Sequence, residues 1–151
     1  MIKFTKMQGI GNDYIYINCY ETEIKNPQEL SIEMSKRHFS VGSDGLVLIC
    51  PSTVADCKMR MFNADGSEGK MCGNAIRCVA KFVYDEKIVN KTEITVETLS
   101  GIKTLTLFLK DGKVDTVKVQ MGKAEIIPEK IPCLCEKSIN FPFTVNGKAR
   151  M

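Results

Sequence analysis

The stretch Cys72-Gly73-Asn74-Ala75-Ile76-Arg77-Cys78-Val79-Ala80-Lys81-Phe82-Val83-Tyr84-Asp85 decides how this 151-residue chain folds. Ile76, Val79, Ala80 and Val83 recur at helical spacing, and Ala75, Cys78 and Phe82 widen the apolar arc. Only a narrow polar stripe of Asn74, Arg77, Lys81 and Asp85 is left. A helix from just after Cys72 to about Asp85 with so little polar surface predicts burial on nearly every side, as when strands wrap around it.

Strands are what the flanking sequence supplies. Alternation and β-branched content place them near 2–6, 14–18, 45–50, 57–62, 93–98, 102–109 and 114–120. Lys110-Asp111-Gly112-Lys113 separates the last two, and Asp-Gly provides the positive φ angles of a tight hairpin, so those strands pair antiparallel. An earlier helix opens with Asn26 as cap, Pro27 at the first helical position and Glu29 completing a capping box. It is expected on the surface, running to about His38 before Gly42. This mixed order of elements argues for an α+β domain rather than a doubly wound sheet. There is no internal repeat or low-complexity tract, and Pro128, Pro132 and Pro142 punctuate a less regular last stretch.

Composition narrows the function. A chain that is 44% hydrophobic can form one well-packed domain, because at this size roughly 68 to 70% of the unfolded surface is buried. The net charge of +3 comes from 21 basic and 18 acidic residues without a basic cluster, which argues against nucleic acid as a partner. No apolar run reaches the length of a membrane span, and Met1 to Lys6 lacks a signal-peptide core, so no membrane partner and a cytoplasmic location are expected. Cys19, Cys50, Cys57, Cys72, Cys78, Cys133 and Cys135 are odd in number and read as reduced thiols rather than a disulfide framework. Cys133-x-Cys135 is the one close pair that can seed a zinc site, but with His38 as the sole histidine no metal is expected.

The chemistry concentrates in the turn-rich segment from Asn63 to Asn74, which delivers Cys72 to the start of the buried helix. Unpaired N–H groups and the dipole at a helix N-terminus favour an anion, which can lower a cysteine pKa and can equally hold a substrate carboxylate on Gly73 and Asn74. Glycine lets such a ligand approach the backbone closely. Free cysteine is also among the most buried residue types, so from the residues alone Cys72 reads equally as a small core side chain. A third reading makes it a covalent nucleophile with His38 as the base available to it. Cys78, inside the helix, and Cys19, Cys50, Cys57, Cys133 and Cys135 read as core or strand residues. Gly9-Ile10-Gly11-Asn12-Asp13 lacks the GxGxxG spacing of a dinucleotide loop and reads as a tight turn in which Asn12 and Asp13 satisfy their own backbone; Val41-Gly42-Ser43-Asp44-Gly45 reads likewise.

Taken together, Phe4 to Asp13, Arg37 to Gly45 and Asn63 to Cys78 resemble the diaminopimelate epimerase family in order and spacing. The resemblance extends through Val96-Glu97-Thr98 and Ser100 to Thr104 and weakens after about residue 125. Proline racemases and phenazine-biosynthesis isomerases share the fold, but Met71-Cys72-Gly73-Asn74 after Asn63-Ala64-Asp65-Gly66-Ser67-Glu68 is similar to the epimerase branch.

The resemblance implies two similar α+β domains, each a curved, mostly antiparallel sheet around a central helix, with residues 1–151 as the amino-terminal one and the second domain lying outside this chain. It implies interconversion of LL- and meso-diaminopimelate, in the pathway to lysine and cell wall, without pyridoxal phosphate or any other cofactor. One cysteine removes the α-proton and another delivers one to the opposite face. By position Cys72 is one of that pair, Asn12 and Asn63 contact substrate, and Gly73 with Asn74 present N–H groups to the carboxylate. Gly45 stands where some members carry a substrate-contacting glutamine, and Ala75 replaces a common glycine. The implied partners are the small-molecule substrate and the missing carboxy-terminal half; the oligomeric state is left open, an exposed apolar cleft face offering a surface on which a second copy could pair as a homodimer. By itself the chain is expected to turn over little or nothing. The competing classes are a non-catalytic single-domain interaction module and a thiol enzyme using Cys72 covalently.

Overall fold

The computed structural model describes residues 2–132, 134 and 142–150. The chain forms two compact units, Met1–Gln120 and Met121–Met151. The first holds β1 (Thr5–Gly9), β2 (Asn12–Asn18), α1 (Pro27–Ser35), β3 (Gly45–Cys50), β4 (Cys57–Asn63), β5 (Glu68–Gly69), α2 (Gly73–Asp85), β6 (Glu93–Thr98), β7 (Gly101–Lys110) and β8 (Lys113–Val119). Its eight-stranded sheet runs β1-β2-β3-β4-β6-β7-β8, with β5 paired to β4.

Two crossovers shape the sheet. β2 and β3 are parallel and joined through α1, β4 and β6 are parallel and joined through β5 and α2, and the other neighbouring strands pair antiparallel. Both ends of the strand order, β1 and β8, pack on α2, so the sheet curls around that helix. Ala75, Ile76, Cys78, Val79, Ala80, Phe82 and Val83 of α2 are buried, in keeping with the arc read from the sequence.

Strand alternation divides the core. Tyr14, Tyr16, Val47, Ile49, Met59 and Met61 face α2, whereas Ile15, Ile17, Leu46, Leu48 and Phe62 point the other way, toward Leu30 and Met34 of α1. Each fully buried aliphatic or aromatic side chain contributes about 1.5–3 kcal/mol, so this two-sided burial is what holds the curled sheet.

Local departures from expectation have local causes. β1 lies at Thr5–Gly9 rather than 2–6 because Ile10 and Gly11, both at positive φ, close a two-residue hairpin with Gly9 paired to Asn12. α1 ends at Ser35 instead of near His38, where Gly42 N–H (2.9 Å) and Ser43 N–H (3.3 Å) take the carbonyls of Met34 and Ser35. The expected capping box does not form: Asn26 caps nothing with its side chain, and its Nδ2 donates to Glu29 Oε2 at 3.3 Å. Asp111 and Gly112 form the expected hairpin turn between β7 and β8.

In the second unit a 3-10 turn spans Pro128–Lys130, and β9 (Phe143–Val145) pairs with β10 (Lys148–Arg150) across Asn146-Gly147. That Asn-Gly step is a strong hairpin signal that the prolines around it obscured. The Cys133 and Cys135 assignments lie outside the described residues.

Candidate active site

Strand directions bring the motifs together. β2 and β3 begin, and β4 ends, at one end of the sheet, so Asn12 and Asp13, Asp44 and Gly45, and Asn63 line the same rim. Asp44 N–H donates to the Asp13 carbonyl at 2.7 Å, extending the β2–β3 ladder to that rim. The β1–β2 hairpin also leans on the first turn of α2, where a Cβ on Gly9 would stand 3.0 Å from the Asn74 carbonyl oxygen.

Cys72 is the N-cap of α2, in extended conformation, and its Sγ accepts the Ala75 N–H at 3.4 Å. A cysteine thus fills the role that serine or aspartate usually takes at a helix start. The same thiol donates to Asn12 Oδ1 at 3.4 Å. Gly73 and Asn74 N–H, the next donors of the turn, bond to no group among the described residues. Arg77 ties the turn down by donating to the Gly73 carbonyl at 3.1 Å and to Asn74 Oδ1 at 2.6 Å.

Asn12 is oriented from behind. Its Nδ2 donates to Asp44 Oδ2 at 2.7 Å, and the same oxygen accepts Asp13 N–H at 3.0 Å, while Arg37 reaches Asp44 Oδ1 at 2.9 Å. Because Nδ2 is engaged by a carboxylate, Oδ1 is the end presented to Cys72. Arg37 also donates to Asp13, with Lys6 at 3.0 Å, and these cations, Arg37 first, hold the Asp13 carboxyl down at about 2. Asn12 and Asp13 therefore do more than satisfy their own turn.

Tyr14 is buried beside this group, and burial, with Cys72 nearby, pushes its phenol up to about 12, so it stays a neutral hydroxyl. Asn63 lies on the rim farther along, exposed, with Nδ2 donating to Ser67 Oγ at 2.9 Å. Two strand spacings, about 10 Å, separate its strand from that of Asn12. His38 is exposed after α1, and the Cys72 thiol bonds to Asn12 and Ala75 rather than to it. Burial raises the Cys78 thiol and pushes that of Cys57 up to about 12.

Sequence reasoning passed over Asp44 and Tyr14. Asp44 carried a signal, since an acidic residue between glycines at a strand start is a means of aiming a carboxylate, but its partner lies 32 positions away. Tyr14 looked like any inward strand residue.

The curled mixed sheet around a buried helix is a racemase-type α+β fold. It matches a probable proline racemase from Agrobacterium radiobacter K84, with a TM-score of 0.64 and 16% identity over 79% of this chain and 41% of that one. A hydroxyproline epimerase from Agrobacterium vitis gives a TM-score of 0.63 and 14% identity over 78% and 40%.

Within that fold the chain belongs to the diaminopimelate epimerase family, whose model matches residues 4–127. It is 56% identical over 149 residues to the diaminopimelate epimerase of Acetivibrio thermocellus, covering 97% of this chain and 53% of the relative. With that of Methanococcus maripaludis strain S2 it is 61% identical over 136 residues, covering 90% and 49%. The chain therefore spans about half the length of these curated relatives.

Proposed function

We propose that this chain is the Cys72-bearing half of a cofactor-independent amino-acid epimerase that interconverts LL- and meso-diaminopimelate. The observation that carries the proposal is the joint placement of the Cys72 thiol on Asn12 and of two unpartnered N–H groups, Gly73 and Asn74, at the start of α2. The substrate α-carboxylate binds those N–H groups, where the helix dipole favours an anion. That brings the α-carbon over Cys72, which as thiolate takes the α-proton in one direction and as thiol returns one in the other. Asn12 and Asn63 position the substrate.

An α-proton is far less acidic than a thiol, so the site has to stabilise the developing carbanion by preorganised donors and exclusion of water. Gly73 and Asn74 N–H supply the donors, and the Tyr14 hydroxyl adds a neutral wall. The second acid/base, on the opposite face of the α-carbon, comes from a complementary half corresponding to the part of the relatives that this chain does not match. Alone, this chain is expected to bind weakly and turn over little.

Proton NMR of LL-diaminopimelate in deuterated buffer tests this, following the α-proton with the chain alone, with the complementary half of a relative, and with both. Exchange confined to the mixture supports the proposal. An assembled mixture that leaves the α-proton untouched for hours rejects it.

A further inference from the structure

Cys19 and Cys50 sit at the opposite end of the sheet from Cys72. β2 spans seven residues from Asn12 to Asn18, and at about 3.3 Å per residue that puts roughly 20 Å of strand between the two places. Asn18 pairs with Ile49 in the parallel β2–β3 ladder, and Cys19 N–H continues it by donating to the Ile49 carbonyl at 2.8 Å. Cys19 therefore lies alongside Cys50, the last residue of β3, and both thiols belong to the α1 side of the sheet.

Parallel neighbours have Cα atoms about 4.8 Å apart, inside the roughly 4.4–6.8 Å window that a disulfide spans. Both cysteines are free and half-exposed, unlike buried Cys57 and Cys78. Lys58 faces Cys50 directly in the β3–β4 register, and Arg60 is the next residue on that face of β4. Arg60 is fixed there by Glu68 at 2.7 and 3.0 Å and by stacking over Phe62.

We propose that Cys19 and Cys50 form a dithiol site, distinct from the Cys72 chemistry, that a peroxide converts to a disulfide. Cys50, beside the Cys19 thiol and flanked by Arg60 and Lys58, is the one favoured as thiolate, and its closeness together with burial raises Cys19. The Cys50 thiolate attacks one peroxide oxygen, the O–O bond breaks, and hydroxide leaves as the sulfenic acid forms. The Cys19 sulfur then attacks the Cys50 sulfur, the S–O bond breaks, and water leaves with the Cys19 proton. The proton released when Cys50 ionised neutralises the hydroxide. Two thiols and one peroxide give one disulfide and two waters, and the bridge closes the loop that carries α1.

The folded chain, exposed to hydrogen peroxide and quenched with iodoacetamide, is mapped by tryptic mass spectrometry. The expected product links the peptide of residues 7–25 to that of 38–58, with fragmentation placing the bond on Cys50 rather than Cys57. Closing such a loop raises the thermal midpoint, by about 5 °C, and dithiothreitol reverses it. Cys19→Ser should instead leave a dimedone-reactive sulfenic acid on Cys50. Cys72→Ser should link as the parent does, which separates this site from the proposed epimerase chemistry. Alkylated Cys19 and Cys50 after peroxide, or a bridge to any other cysteine, would overturn the proposal.

Discussion

A Cβ added to Gly45 would stand 2.0 Å from the Phe62 carbonyl oxygen and 2.9 Å from the Tyr14 ring, so β3 and β4 approach too closely there for any side chain. Gly45→Ala should cost about 3 kcal/mol, seen as a lower urea midpoint, and an unchanged midpoint would show that the strands part easily. Next to it, Asp44 acts through Asn12: Asp44→Ala frees the amide that presents Oδ1 to Cys72. In the two-half mixture it should lower the α-proton exchange rate by about tenfold, the effect of losing one charge-assisted hydrogen bond. Asp44→Asn, which keeps an acceptor oxygen, should restore part of the rate; a rate equal to the parent's in both variants would remove Asp44 from the positioning chain. Asp13 reports on acid. Its carboxyl is lowered from 3.8 to about 2, first by Arg37, so its stabilising contribution is whole above the unfolded value and is lost as pH falls through the folded one. The stability difference between parent and Asp13→Asn should therefore shrink between about pH 4 and about pH 2. Urea titrations across that window check it, and a difference that grows toward low pH would contradict the assignment.

Secondary elements differed in how much of them the sequence disclosed. α2 was legible almost to the residue, because its apolar arc and the loop before it leave no other use for Ile76, Val79 and Val83, all at 0% exposure. Ile76→Ala should cost about 2–5 kcal/mol, since the curled sheet cannot collapse into the space, and a cost below that range would show slack in the core. α1 was legible in place but not in extent. Its end is set by N–H groups of residues 42 and 43 that fold back over Met34 and Ser35, a contact made after an irregular loop that periodicity cannot see. Its start carries a capping-box pattern that forms no cap. Asn26→Ala should accordingly change stability by less than about 0.5 kcal/mol, short of the 1 kcal/mol typical for a working cap. Strand existence was legible throughout the first unit, apart from the two-residue β5. Which strands run parallel was not, because direction depends on where α1 and α2 cross rather than on any strand's own residues.

At the scale of the molecule, the proposed chemistry divides between two pieces of protein because one helix terminus can approach an α-carbon from one side only. Cys72 is fixed at the N-cap of α2 by Ala75 and Asn12, and a thiol so held cannot swing to the far side of its substrate. The motif residues lie where the proposal needs them, Asn12 and Asn63 on one rim of the sheet and Cys72, Gly73 and Asn74 at the start of the helix beside it. Nothing in these residues specifies the opposite base, so the proposal places it in the part of the relatives that this chain does not match. Two fixed bases predict a particular labelling pattern. With LL-diaminopimelate and both halves in deuterated buffer, early in the reaction, deuterium should appear at the α-carbon of the inverted product while recovered starting isomer keeps its proton. The thiol that removed the proton can only hand it back on the same face, and the label enters from the other thiol, already exchanged with solvent. A single mobile base would put deuterium into the recovered isomer as fast as into the product, and mass spectrometry of the separated isomers distinguishes the two.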